Sequence, residues 1–176
     1  GKHRKAGHGQ AKVHVLYRNG PTEALISRGN VHDSQWARKL LRKLTAATLV
    51  VFDRGYWDHA FFIWLVKLKH DFITRLKDNV KPRKIKRLGK GDWLVRFDAS
   101  PSKAIPFALR LVQWKTESGE TLEFVTSLLD PKAFPAEAIA AFYVQRWEIE
   151  TFFRDLKHVL RLSHFVSYSA NGIRLQ

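Results

Sequence analysis

Four residues toward the C-terminal end of the chain, Tyr143, Arg146, Glu150 and Lys157, stand at offsets 0, 3, 7 and 14. On a helix turning about 100° per residue they fall along one stripe, and Glu148 points the other way. Such a stripe has two readings. One is an exposed Arg146–Glu150 ion pair at i, i+4, contributing roughly 0.2–0.5 kcal/mol. The other is a carboxylate reaching toward a metal ion, flanked by cations that hold phosphates. A second acid, Asp53, follows the apolar run Thr48-Leu49-Val50-Val51-Phe52 and precedes Arg54-Gly55. Ligand crevices of open α/β sheets lie at the carboxyl ends of strands, which suits a ligand role for Asp53. It can equally cap the helix that follows or pair with Arg54, although Asp58 is available as the cap. Two carboxylates from distant positions in a strongly basic chain suit metal-assisted chemistry on a phosphodiester. Mg²⁺ prefers oxygen ligands and binds through one or two carboxylates plus phosphate oxygens. A pair of such ions, about 3.5–4 Å apart, clamps the attacking and leaving oxygens of an in-line displacement.

The composition agrees with a polyanionic partner. The 176 residues include 31 Lys and Arg against 16 Asp and Glu, a formal net charge of +15. An excess of this size favours nucleic acid or an anionic surface, because each neutralised phosphate releases counterions. The absence of cysteine excludes a disulfide framework, a zinc-thiolate site and a thiol nucleophile. No apolar run approaches the roughly 18 residues of a membrane span, so a soluble, cytoplasmic protein is expected. The eight histidines show neither HxH nor HExxH spacing. His3, His8 and His14 read as parts of a basic arm and a strand surface.

These candidate groups need elements to hold them. Gly1 to Gln10 reads as a basic, glycine-rich arm. Lys12 to Arg18, the Asn19-Gly20 turn and Thr22 to Ser27 form a hairpin pattern. Asp33-Ser34 caps a helix to about Leu44. Thr48 to Phe52 reads as a strand buried on both faces in the middle of a sheet. A helix over about Trp57 to Lys69 and a strand over Phe72 to Leu76 follow. Lys77 to Lys90 is a basic run broken by glycine and proline, read either as a solvated loop or as a contact to a DNA backbone. Trp93 to Asp98, Phe107 to Lys115 and Thr121 to Leu129 alternate as strands, the last two joined by Glu117-Ser118-Gly119-Glu120. Residues 77–135 are thus expected as a small antiparallel β insertion within a single core spanning 1–176. Trp93 and Trp114 read as packing residues, with base stacking as the alternative. A long helix from about Ala136 to Leu160 closes the pattern, with Phe142, Ile149, Phe153, Leu156 and Leu160 on the face expected to meet the sheet. The element order predicts an α/β fold, a mixed sheet flanked by helices.

Tyr143-Val-Gln-Arg146-Trp-Glu-Ile-Glu150-Thr-Phe-Phe-Arg-Asp-Leu-Lys157 fits Y-x2-R-x3-E-x6-K without a gap. It resembles the signature of DDE transposases of bacterial insertion sequences, in the branch named for Tyr, Arg, Glu and Lys. Val50-Val-Phe-Asp53-Arg-Gly-Tyr-Trp57 is similar to that family's second-aspartate motif, and together the resemblance spans nearly the whole chain. It implies a ribonuclease-H-like fold in which two aspartates and a glutamate hold two divalent ions, Mg²⁺ or Mn²⁺. Asp53 would be the second aspartate and Glu150 the glutamate. Arg146 and Lys157 would contact DNA phosphates near a transposon end, and Tyr143 would support them. The implied activity is metal-dependent DNA strand cleavage and strand transfer on double-stranded DNA, in a homodimer, in the bacterial cytoplasm at the nucleoid. The family's first aspartate lies upstream of the strand matched by Lys12 to Tyr17. No Asp precedes Asp33, which sits at a helix start. The chain is therefore expected to be a catalytic-domain fragment, cut at both ends, holding two of three carboxylates and inactive alone in strand transfer. Two other functions stay open: a metal-dependent nuclease of the same fold, and a non-enzymatic nucleic-acid-binding domain.

Overall fold

The computed structural model describes residues 11–17, 21–28, 33–42, 44, 47–98 and 104–146. The basic arm with His3 and His8, the Asn19-Gly20 turn, Glu150, Lys157 and the expected helix beyond residue 146 lie outside the described residues. The chain divides into two compact units, Gly1–Lys43 with Thr151–Gln176, and Leu44–Glu150.

In the first unit, β1 (Ala11–Tyr17) and β2 (Pro21–Arg28) pair antiparallel, from Ala11 opposite Arg28 to Leu16 opposite Glu23. Helix α1 (Asp33–Leu41) ends earlier than its expected limit at Leu44 and buries Ala37, Leu40 and Leu41. These spacings of three and four place one apolar stripe inward.

The second unit is built on a six-stranded sheet. Its strands are β3 (Leu49–Phe52), β4 (Asp71–Arg75), β5 (Arg83–Gly89), β6 (Asp92–Arg96), β7 (Leu109–Lys115) and β8 (Thr121–Thr126). Their order across the sheet is β3-β4-β8-β7-β6-β5, with β3 and β4 parallel and the other pairs antiparallel. The parallel pair is joined through a short 3-10 turn (Arg54–Tyr56) and helix α2 (His59–Lys67), as parallel strands require a crossover. A further helix, α3, occupies residues 136–146.

Two expectations are corrected. Thr48 to Phe52 was read as a central strand, but among the described residues β3 is the terminal strand of its sheet, and Phe52 alone of its four residues is buried. Its unbroken apolarity reflects cover on both faces: Leu49 and Val51 lie against the core cluster that includes α3, and the Phe52 ring lies 5.3 Å from Phe61 of α2. An apolar run reports covered faces, not the number of neighbouring strands. The basic stretch read as a loop instead contains β5, which pairs with the free edge of β6 despite register shifts at Lys84/Lys86 and Arg87/Gly89. Gly91 turns the chain between them at φ +70°, where a Cβ would meet the Gln113 carbonyl oxygen at 3.0 Å. The strands of residues 77–135 are antiparallel, as expected, and β8 joins them to β4, so they share one sheet with β3.

Successive strand residues face opposite sides. On one side of β4, Phe72 stacks on Phe62 of α2 at 4.7 Å between centroids, near Phe52. On the other, Ile73 joins Val112, Leu122 and Phe124 against Ile139, Ala140 and Tyr143 of α3. Helices thus cover both faces of the sheet.

Candidate metal and DNA site at the end of β3

The fold delivers Asp53 rigidly. Burial of Phe52 in the α2 aromatic cluster fixes the end of β3, and Asp53 continues it in extended conformation, with φ −70° and ψ 156°. Asp53 Oδ1 accepts a hydrogen bond from the Gly55 amide at 2.7 Å, capping the 3-10 turn. Asp58 caps α2, accepting from the Ala60 amide at 2.9 Å. Arg54 turns away to Asp78, with Nη1 2.7 and 2.9 Å from the two carboxylate oxygens. Of the alternatives open at Asp53, neither capping of the following helix nor pairing with Arg54 is realised: Asp58 caps α2, and Asp53 caps only the 3-10 turn. Capping uses one oxygen only. Oδ2 lies 3.7 Å from Nη1 of Arg146, and the Asp53 side chain is 45% exposed.

Tyr143 and Arg146 reach this point because α3 places their stripe over the sheet. Here the structure corrects the expected face: Tyr143 is fully buried, whereas Phe142 is exposed. Ile139 and Tyr143, at i and i+4, set the inward direction, and the Tyr143 ring rests 5.0 Å from that of Phe124. The Arg146 guanidinium carbon sits 5.0 Å from the centre of the Tyr143 ring, a cation–π arrangement. Tyr143 Oη has no hydrogen-bond partner among the described residues. Burial pushes the Tyr143 phenol above its ordinary pKa, the positive charge of Arg146 opposing that shift. Tyr143 is thus a neutral platform under a cation.

At 3.7 Å, with a half-exposed carboxylate, the Asp53–Arg146 contact is an ion pair outside hydrogen-bond range. Its length and the 45% exposure of Asp53 leave Oδ2 accessible to a cation, whereas the Arg146 side chain is only 11% exposed. Among the described residues no group of three His, Asp or Glu side chains converges to hold a metal. Asp53 offers an oxygen suited to a hard divalent ion. The structure brings Asp53, Tyr143 and Arg146 together; Glu150 and Lys157 lie outside the described residues.

One positioning residue escaped the sequence reading. Arg110, the second residue of β7, is fully buried and binds Asp92 of β6 through two hydrogen bonds, Nε to Oδ1 at 2.8 Å and Nη2 to Oδ2 at 2.6 Å. Its remaining nitrogen, Nη1, donates to the carbonyls of Phe134 at 2.6 Å and Leu128 at 3.3 Å. Arg110 therefore ties down the loop that leads into α3. The available signal was a single arginine interrupting the apolar strand Leu109-Arg110-Leu111-Val112, on the alternation that Val112 assigns to the core.

A family model described as the transposase DDE domain matches residues 1–176. A Sinorhizobium fredii protein, y4zB, named as a transposase, is 32% identical over 94% of this chain and 49% of its own length. The transposase InsG for insertion sequence element IS4 of Escherichia coli is 29% identical over 74% of this chain and 31% of its own length. The chain spans about half the length of the curated relatives it matches, or less. The six-stranded, mostly antiparallel sheet covered by helices agrees with the ribonuclease-H-like architecture expected from the resemblance. The chain belongs to the transposase DDE domain family.

Proposed function

We propose that this chain forms the catalytic core of an insertion-sequence transposase of the Y-x2-R-x3-E-x6-K branch, with residues 1–176 acting as one core and 77–135 as its insertion. The observation that carries the reading is the end of β3, where capping immobilises Asp53 while leaving its Oδ2 toward Arg146. Asp53 and Glu150 would hold two divalent ions, Mg²⁺ or Mn²⁺, and Asp53 brings the hard oxygen donor such ions require. When bound there, such ions would supply Lewis-acid polarisation of the scissile phosphodiester and a lowered pKa for the attacking water.

The chain's own groups position and neutralise. Arg146, supported on the Tyr143 ring, offers a planar fork to two phosphate oxygens near the transposon end. Lys157 supplies a second phosphate contact. Tyr143, held neutral by burial, keeps the guanidinium in place and takes no proton from the substrate. In the intact protein the reaction is strand cleavage followed by strand transfer, on double-stranded DNA, in a homodimer, in the bacterial cytoplasm at the nucleoid. Catalysis of this kind rests on orientation and charge stabilisation and needs no protein nucleophile.

The test uses the full-length protein with a labelled transposon-end duplex. Glu150→Gln and Asp53→Asn should each retain DNA binding and abolish Mg²⁺-dependent cleavage. Cleavage persisting in either variant removes the assignment of that carboxylate. A cleaved but never joined product from the unmodified protein assigns a nuclease instead.

A further inference from the structure

The far edge of the sheet holds a second concentration of charge that the site at β3 does not use. From Lys81 to Arg96 the sequence places seven cations and one acid, Asp92. That acid is buried and bound by Arg110. β5 is the terminal strand on this side of the sheet among the described residues, and Arg83 to Arg87 are all exposed.

Pairing with β6 sorts these cations onto two faces. Lys84 and Arg87 stand opposite Val95 and Trp93, whereas Arg83 and Lys86 stand opposite Arg96 and Leu94. Directly paired positions share a face, and Trp93 and Leu94 point to opposite sides, so cations flank the edge above and below. The register shift between Lys84 and Lys86 produces this division.

The cations are arranged rather than merely solvated. Lys84 Nζ lies 4.5 Å, and the Arg87 guanidinium carbon 5.8 Å, from the centre of the Trp93 ring. The ring is covered by charge, which makes it a support for cations and not a stacking surface for bases. Holding two long side chains over an aromatic ring reduces the ordering cost when they meet a ligand. Arg83 is engaged by Asp98 at 2.5 Å. No ion pair among the described residues engages Lys84, Lys86 or Arg87. Arg83 and Arg96 stand directly opposite each other, and the Asp98 carboxylate bound to Arg83 offsets that like-charge pairing.

We infer that the β5 edge is a contact surface for the phosphate backbone of duplex DNA, separate from the Arg146 stripe. This rests on the reading of DNA as the partner and adds the place where flanking duplex is held. Phosphate contacts position a duplex without reading its sequence, so the surface binds flanking or target DNA of any sequence. Lysines on an edge strand also repel other strands, but that role leaves DNA affinity untouched.

The deciding experiment measures fluorescence anisotropy of the chain with a labelled random-sequence duplex, in EDTA, from about 50 to 200 mM KCl. At about 0.9 units per phosphate contact, the triple variant K84Q/K86Q/R87Q should lower the slope of log affinity against log salt by about 2.7 and weaken binding more than tenfold. A control with the same loss of charge at other exposed lysines, K67Q/K115Q/K132Q, should keep the slope. An unchanged slope in the first variant, or an equal fall in both, overturns the inference while leaving DNA as the partner. No duplex binding by the unmodified chain overturns both.

Discussion

Two aspartate–arginine pairs in the Leu44–Glu150 unit use the same chemistry to opposite ends. Asp92 and Arg110 are buried and joined through two short hydrogen bonds, and the third guanidinium nitrogen is spent on loop carbonyls. Asp53 and Arg146 stand 3.7 Å apart with the carboxylate half-exposed, one of its oxygens occupied by a cap. The first pair has nothing left to give a ligand. In the second, one carboxylate oxygen stands 3.7 Å from the guanidinium on a side chain that is 45% exposed. Access to a carboxylate oxygen, not the presence of charge, separates scaffold from site in this fold.

The largest effect belongs to the buried pair: Arg110→Met leaves Asp92 buried and unpaired, and should cost about 3–5 kcal/mol in denaturant unfolding. Replacing both partners, as Asp92→Leu with Arg110→Met, should recover much of that loss. A single variant costing under about 1 kcal/mol would show that Arg110 anchors nothing. At the open pair, Arg146→Ala should cost less than Arg110→Met, because the Asp53 carboxylate left behind is 45% exposed. It should, however, reduce the salt slope of transposon-end binding by about one unit. An unchanged slope returns Arg146 to a structural ion pair. The smallest effect concerns pH. Burial raises the Tyr143 pKa in the folded chain, so the unfolded chain loses this proton first, near its ordinary value of about 10. The resulting stabilisation is complete below that pH and is lost as pH rises toward the folded value. Tyr143→Phe should therefore flatten the alkaline fall in Tm, and an identical fall in both proteins would show that the buried phenol does not contribute.

The groups that carry chemistry were more legible than the surfaces that hold them. Asp53 could be placed because a strand end followed by glycine is a local pattern, and Asp58 could be read as the alternative helix cap for the same reason. The edge position of β3 was not legible, since apolarity reports coverage and says nothing of pairing. The inward face of α3 was misjudged for a related reason. Phe142 is the more apolar residue, but the Phe124 ring accepts Tyr143, and only the β8 register brings Phe124 beneath the helix. β5 was hidden because its residues have low strand propensity. It forms because β6 offers an unpaired edge two residues away, through a turn at Gly91. Arg110 and Asp92, eighteen residues apart, lie on the same face only through the β6–β7 register.

The strand order has a consequence for how this domain can vary. β5 lies at the opposite end of the sheet from β3, with four strands between them. Lengthening the turn that joins it to β6, at Lys90, adds chain at that far margin, whereas the connection before β5 begins beside the site, where Arg54 binds Asp78. Loop closure makes such growth inexpensive, since each doubling of a flexible connection costs only about 0.6 kcal/mol. Insertions there leave the β3–β4–β8 register and the α3 anchor untouched. The far margin is therefore the region in which related proteins can differ in length while the carboxylate at the end of β3 keeps its place.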